Sequence, residues 1–205
     1  MNYESILSER VNSLKPSGIR KFFDLLEQMP DAISLSIGEP DFQTPWHIRD
    51  AGIYSLEKGW TKYTGNAGLL SLRTEISAYL KRRFALEYDP VTELLVTVGG
   101  SEAIDLTIRA FVNTGDEVII PRPSFVCYEP LTAMAGGVPV QIATKAENEF
   151  RLTAEELKAA ITPRTKLLIL PYPCNPTGAI LRRQDLVALA EVLRGTDIMV
   201  LSDEI

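Results

Sequence analysis

The sequence has few of the residues on which several common kinds of site depend. Its 205 residues include two cysteines and one histidine, His47, to which we assign no role. Cys127 and Cys174 lie far apart and form no CxxC pair, so no set of zinc ligands can be assembled from the sequence. We therefore expect a reduced, cytoplasmic protein without a metal site.

Positive charge and long apolar runs are also scarce. The formal net charge of −6 argues against binding to nucleic acid or to an anionic membrane surface. No apolar run approaches the roughly 20 residues that span a bilayer. The first ten residues contain acids and no continuous apolar stretch, so they do not resemble a signal peptide. A composition of 45% hydrophobic and 23% charged residues is typical of a globular protein.

Strand-like and helix-like segments alternate through the second half of the chain. Short apolar runs predict strands, and apolar residues at helical spacing predict helices between them. This alternation favours a mostly parallel sheet with helices on its faces. Strands are expected at 32–37, 94–98, 117–120, 138–142, 167–170 and 198–201, and helices at 4–14, 18–29, 46–58, 102–112, 125–135 and 184–193, with further helices starting near Leu69 and at the capping box Thr153-Ala-Glu-Glu156.

The segment after the 167–170 strand contains three prolines, a glycine and Asn175. A residue before proline is pushed towards extended geometry, so the backbone of Asn175 is restricted by Pro176. Its side chain is thus held just past the carboxyl end of a strand, where open α/β sheets bind ligands. The alternative is an ordinary proline-rich turn.

A two-glycine turn, Gly99-Gly100-Ser101, joins another predicted strand to a helix. Glycines allow a close backbone approach, and N–H groups at a helix N-terminus suit a phosphate. The spacing fits neither a dinucleotide fingerprint nor a Walker A loop. The alternative is a tight turn in which Ser101 caps the helix.

Further candidate groups follow the other strands. Asp203 could hold a protonated ring nitrogen by a charge-assisted hydrogen bond, or it could be a turn residue. Phe125 and Tyr128 could cover a flat ligand or lie in the core, and Tyr63 could donate to a phosphate or pack at the surface. A phosphate cradle, a ring-covering aromatic, an amide and a carboxylate for a ring nitrogen together describe a pyridoxal 5′-phosphate site.

Several motifs resemble those of the class I aminotransferases, which belong to the fold type I pyridoxal-phosphate enzymes. They come in the order of that family and cover the chain from about residue 30 onwards. The motifs are Ser36-Ile-Gly-Glu-Pro-Asp-Phe42, Tyr63-Thr-Gly-Asn-Ala-Gly68 with Leu72-Arg73, Val96-Thr-Val-Gly-Gly-Ser-Glu-Ala103, Gly115-Asp-Glu-Val118, Pro121-Arg-Pro-Ser-Phe125, Asn175-Pro-Thr-Gly178 and Ser202-Asp-Glu-Ile205.

The resemblance implies a role for each matching residue. The backbone of Gly100 and Ser101 would bind the cofactor phosphate, and Phe125 would stack on the ring. Asn175 would hydrogen-bond the phenolic oxygen and Asp203 would pair with the pyridinium nitrogen. Tyr63 would reach the cofactor phosphate of the neighbouring subunit. Gly38 would lie against the substrate carboxylate.

The same resemblance implies a three-layer α/β/α domain, a homodimer, and amino acid and 2-oxo acid substrates. Residues 1–42 would form an N-terminal arm and part of a small domain, and residues 43–205 the N-terminal part of the large cofactor-binding domain. The Schiff-base lysine and the arginine for the substrate carboxylate lie further on in that family. We therefore expect a fragment that is inactive alone, with an incomplete sheet in which the 94–98 strand loses its neighbour.

Other functions are compatible with parts of the pattern. C–S lyases share the fold and the cofactor motifs. Some transcription regulators carry an aminotransferase-like domain behind a basic DNA-binding domain, whereas this chain is acidic. A nucleotide-binding Rossmann domain fits least well, because the 117–120 strand leads to Pro121-Arg122 instead of an acid.

Overall fold

A computed structural model describes residues 5–14, 29, 31, 33, 38 and 40–205. The chain divides into two compact units, one formed by Met1–Pro16 with Val98–Ile205 and the other by Ser17–Thr97. Residues 18–28 of the predicted helix 18–29, and all but residue 33 of the predicted strand 32–37, lie outside the described residues.

The first unit is built on a parallel sheet of four strands. In chain order these are β1 (Glu117–Arg122), β2 (Val138–Ala143), β3 (Thr165–Leu170) and β4 (Met199–Ser202). Their spatial order is β2-β1-β3-β4, and every pair is parallel. The register pairs Glu117 with Val138 and Leu167 with Met199. The prediction of a mostly parallel sheet is confirmed.

Helices cover both faces of this sheet. Alternate residues of a strand point to opposite faces, and β3 shows the result: Leu168 joins one apolar cluster, while Leu167 and Ile169 join the other. The first cluster contains Leu157 and Leu189, from helices α6 (Ala154–Ala160) and α7 (Arg183–Leu193). The second contains residues of α4 (Gly100–Phe111) and α5 (Tyr128–Ala135). A central strand buried on both sides explains the unbroken apolar run in the sequence.

The order of the strands creates a switch point in the sheet. The chain passes from β1 to its neighbour β2 on one side, and then to β3 on the other side of β1. In open parallel sheets, the loops on either side of such a point diverge at the carboxyl ends of the strands and leave a crevice. The loops that follow β1 and β3 flank this point.

Local signals set the ends of several helices. Thr153 accepts a hydrogen bond from the Glu156 N–H at 3.2 Å while Glu156 accepts one from the Thr153 N–H at 3.1 Å, so α6 begins with the predicted capping box. The N-terminal helix α1 is shorter than the predicted 4–14 and spans Glu9–Asn12, because Ser8 caps it through the Val11 N–H. A short 3-10 helix, Ala146–Asn148, follows β2.

The predicted strand at 94–98 is wrong. Residues 94–97 have no regular secondary structure, and the Val96 N–H donates to the Ala67 carbonyl at 3.1 Å. A strand requires a neighbour to complete its hydrogen bonds, and none is paired with this segment among the described residues.

Among its described residues, the second unit contains the helices α2 (Trp46–Glu57) and α3 (Leu70–Phe84). Arg73 of α3 is buried and donates to the carbonyls of Pro90 and Val91, which ties α3 to the segment after it.

Across the described part of the chain, no helix is long and apolar enough to cross a membrane. Nor do the described residues include a cluster of three or more His, Cys, Asp or Glu that could hold a metal.

Candidate functional site

A cavity of about 430 Å³ opens at the carboxyl edge of the sheet, within the first unit. Its size falls in the range of small-molecule sites. It lies where the segments after β1, β3 and β4 meet the start of α4. The lining residues are Gly100, Ser101, Ile104, Phe125, Tyr128, Pro171, Pro173, Asn175, Asp203, Glu204 and Ile205.

One side of the cavity is the N-terminus of α4. Gly99 occupies the capping position with φ +82°, a conformation that favours glycine, and it supplies no side-chain cap. Glu102, in the first turn, accepts a hydrogen bond from the Val98 N–H. The interpretation of Ser101 as the cap is therefore wrong, since Ser101 already lies inside the first turn. Backbone N–H groups of a helical first turn, together with the helix dipole, attract an anion. Gly100 and Ser101 present this end of α4 to the cavity.

An aromatic pair forms another wall. Phe125 lies in the loop before α5, not within the helix as predicted, because α5 starts only at Tyr128. The two rings meet edge to face, with centroids 6.0 Å apart and planes at 81°. Phe125 remains partly exposed while Tyr128 is only 2% exposed. Phe125 can thus lie against a flat ligand, and Tyr128 supports it from the core.

Asp203 follows β4 and is fixed at two points. Its backbone N–H donates to the Leu170 carbonyl at 3.1 Å, which extends the pairing of β4 with β3. Its side-chain Oδ2 accepts a hydrogen bond from the Tyr128 hydroxyl at 2.6 Å. Burial, then the hydrogen bond to Asp203, raises the pKa of Tyr128 far above its usual value. Tyr128 is therefore a permanent donor to this carboxylate near neutral pH.

The loop after β3 presents Asn175. A tight turn closes around it, in which the Gly178 N–H donates to the Cys174 carbonyl at 2.7 Å and the Cys174 N–H to the Ala179 carbonyl at 2.9 Å. Cys174 itself is buried, and its thiol donates to the Pro123 carbonyl at 3.3 Å. The ends of the loop are thus anchored while Asn175 stays exposed at the cavity.

The structure brings five predicted site residues to one cavity: Gly100, Ser101, Phe125, Asn175 and Asp203. The other two belong to the second unit, where Tyr63 is fully exposed before α3 and Gly38 is also exposed. For these two, the predicted roles remain predictions.

Sequence reasoning missed the contact between Tyr128 and Asp203 and the place of Cys127 beside them. Burial, then the negative charge of Asp203, raises the pKa of the Cys127 thiol to about 11. The only signal in the sequence was the spacing of Phe125 and Tyr128, three residues apart after a strand.

These features define an α/β protein with a candidate ligand site, a cavity at the carboxyl edge of its sheet. A protein-family model, described as aminotransferase class I and II, matches residues 30–205 of this chain. The chain belongs to this family, as the motifs had indicated.

Proteins of known sequence and structure agree with this assignment. Over about 200 residues the chain is 53% identical to YugH of Bacillus subtilis and 46% identical to an aspartate aminotransferase of Pyrococcus abyssi, covering 98% and 97% of this chain. A solved aspartate aminotransferase of Thermus thermophilus with maleate superposes with a TM-score of 0.90 at 40% identity, covering 97% of this chain and 53% of that one. The chain spans about half the length of the curated relatives, 52% and 51% for these two.

The observed groups fit the pyridoxal phosphate on which this family depends. The N-terminus of α4 suits its phosphate, and a partly exposed aromatic suits its ring. Asp203 Oδ1 has no hydrogen-bond partner among the described residues, so it is available to a protonated ring nitrogen.

Proposed function

We propose that the protein containing this chain transfers an amino group between an amino acid and a 2-oxo acid, with pyridoxal 5′-phosphate as its cofactor. The observation that carries this proposal is the cavity in which a helix N-terminus, an aromatic ring, an amide and a carboxylate converge. Family membership supports it, since the named relatives include an aspartate aminotransferase.

Each lining residue has a distinct task in this proposal. The backbone N–H groups of Gly100 and Ser101 hold the phosphate at the positive end of the α4 dipole. Phe125 packs against the ring, and the Asn175 amide donates to the phenolic oxygen. Asp203 pairs with the protonated ring nitrogen and keeps the proton there. When bound there, pyridoxal phosphate would supply an electron-withdrawing ring that eases loss of the α-proton from the substrate.

Several further assignments belong to the same proposal. The protein acts in the cytoplasm as a homodimer, with Tyr63 reaching the phosphate in the neighbouring subunit and Gly38 lying against the substrate carboxylate. Residues 1–42 form the N-terminal arm and part of a small domain, and residues 43–205 part of the cofactor domain. The family resemblance implies that the lysine that binds the cofactor covalently lies further on than the motifs matched here, and we adopt that assignment in the proposal.

A pair of aspartates at opposite ends of β4 provides the test. Asp203 follows the strand at the cavity, whereas Asp197 precedes it at the other edge of the sheet. In the full-length protein, Asp203→Ala should weaken pyridoxal phosphate binding by about 10- to 100-fold, the value of a charged hydrogen bond. Asp197→Ala should leave it unchanged. Affinity is measured by titrating the apoprotein and following cofactor absorbance.

Activity is measured in the same preparations with amino acid donors and 2-oxoglutarate. Loss of amino transfer in Asp203→Ala, with Asp197→Ala active, supports the proposal. Equal cofactor affinity in both variants would refute the proposed site. Release of pyruvate and ammonia from a sulfur amino acid, with no need for a 2-oxo acid, would indicate a C–S lyase instead.

A further inference from the structure

Tyr128 lines the cavity, and its hydroxyl donates to Asp203, a proposed cofactor-binding group. We propose that Tyr128 is a positioning residue: its hydroxyl holds Oδ2 of Asp203, so that Oδ1 is kept for the ring nitrogen of the cofactor. The inference rests on the proposed function, because it assigns to Tyr128 the orientation of a carboxylate that binds the cofactor.

The hydroxyl of Tyr128 is held in place by the core. Its ring is buried in the cluster that contains Ile104 and Ile108 of α4. Thr132 donates to the Tyr128 carbonyl at 2.8 Å and strengthens the first turn of α5, and Phe125 contacts the ring edge. Since a packed aromatic ring has few alternative rotamers, the position of its hydroxyl is fixed. A carboxylate that accepts from it loses rotational freedom.

Two other side chains lie near the Tyr128–Asp203 hydrogen bond, and neither adds a charge that would displace the phenol at neutral pH or a donor that the hydrogen bonds of the described residues show. The Cys127 thiol has a pKa of about 11, because it is partly buried and faces the Asp203 charge, so it stays neutral below pH 10. Glu204 lines the same cavity, and its Oε1 accepts a hydrogen bond from the Ser202 hydroxyl at 2.8 Å. A carboxylate cannot donate, so Glu204 does not replace the phenol. The Tyr128–Asp203 pair therefore persists across the neutral range.

A second buried tyrosine shows what a purely structural hydroxyl does. Tyr172 accepts from the Leu152 N–H at 3.0 Å and donates to the Phe150 carbonyl at 3.1 Å, so both of its partners are backbone groups. Its side chain does not line the cavity. Tyr172→Phe thus removes a buried phenol without touching the site, which makes it a matched control for Tyr128→Phe.

The test uses the full-length apoprotein and two ligands. One is 4′-deoxypyridoxine 5′-phosphate, which has no aldehyde and binds noncovalently; the other is its 1-deaza analogue, in which carbon replaces the ring nitrogen. Tyr128→Phe should weaken the first ligand about tenfold and the second less than twofold, since only the first uses Asp203. Tyr172→Phe should affect neither. With a ¹⁵N label in the first ligand, its NMR shift should report less ring protonation in Tyr128→Phe at pH 7.5.

Each outcome has a defined meaning. Equal weakening of both ligands by Tyr128→Phe would show a packing role and overturn the inference, as would no weakening of either. If the wild-type protein binds neither ligand, the proposed function fails. In that case the inference is judged on the ligand-free protein: it predicts a slowly exchanging Tyr128 hydroxyl proton in the NMR spectrum that shifts in Asp203→Asn. An unshifted signal would refute the pairing itself.

Discussion

Glu117 offers a sharp test of how the first unit is stabilised. It begins β1 at the amino edge of the sheet, opposite the cavity, and is only 4% exposed. Its carboxylate accepts from the Thr162 hydroxyl at 2.5 Å and pairs with the Arg164 guanidinium. Both partners come from the turn before β3, so this buried charge joins the starts of the two central strands.

The size of the effect follows from these contacts. Arg164 is mostly exposed and can return to water, so the loss in Glu117→Gln centres on one charged hydrogen bond. We expect the free energy of unfolding at pH 7 to fall by about 1.5–3 kcal/mol, the typical value of such a bond.

The loss of unfolding free energy in Glu117→Gln should also depend on pH. The hydroxyl of Thr162, opposed by burial and assisted by Arg164, lowers the pKa of Glu117 in the folded state. The stability that the carboxylate contributes is therefore present above its unfolded pKa of about 4.3, and it disappears as the pH falls through the lower folded-state value. The difference between wild type and Glu117→Gln should be constant between pH 5.5 and 8, roughly, and shrink below about pH 4.

Urea unfolding followed by circular dichroism at a series of pH values measures this difference. Glu191→Gln is the matched control, because Glu191 pairs with Arg194 on the exposed face of α7 and should have little effect. Equal stability of Glu117→Gln and wild type at pH 7 would refute the reasoning. A difference that grows towards low pH would show that the sign of the linkage is wrong.

Two further predictions concern the core and the cavity. Leu168→Ala leaves a void beside the fully buried strand β3 and should reduce the free energy of unfolding by about 2–5 kcal/mol. Leu186 is exposed on α7, so Leu186→Ala should change the free energy of unfolding by less than about 0.5 kcal/mol. Urea titration measures both losses, and equal losses would contradict the prediction. Alkylation of Cys127 by iodoacetamide, mapped by mass spectrometry, should be slow at pH 7, and its rate should rise with pH towards the thiol pKa of about 11. At pH 8 the rate should be higher in Asp203→Asn, because the negative charge that raises the thiol pKa is removed. A rate at pH 7 like that of free cysteine would contradict this prediction.

Much of the fold could be predicted because its local signals agree. Apolar runs located all four observed strands to within about two residues. The capping box at Thr153 marked the start of α6 because its two hydrogen bonds lie within four residues. Such features require no knowledge of distant parts of the chain.

The failures occurred where something other than the composition of the segment decides the outcome. Residues 94–98 have a strand-like composition, but Val96 pairs with Ala67 and no neighbouring strand is present among the described residues. Ser101 is a good capping residue by type, yet Gly99 takes the capping position because the turn requires a positive φ. The composition of a segment gives it a preference for one secondary structure, and the residues around it in the fold determine whether it adopts that structure.

The candidate site likewise includes residues that the sequence could predict and a contact that it could not. Asn175 and Asp203 were predicted because each follows an apolar strand, and the carboxyl ends of parallel strands share one edge of a sheet. The Tyr128–Asp203 hydrogen bond joins residues 75 positions apart, and nothing in either local sequence requires it. It depends on β1 lying beside β3 and β3 beside β4, an order fixed only when the sheet assembles. The sequence therefore indicates which groups can bind a ligand, whereas the order of the strands determines which of them act together.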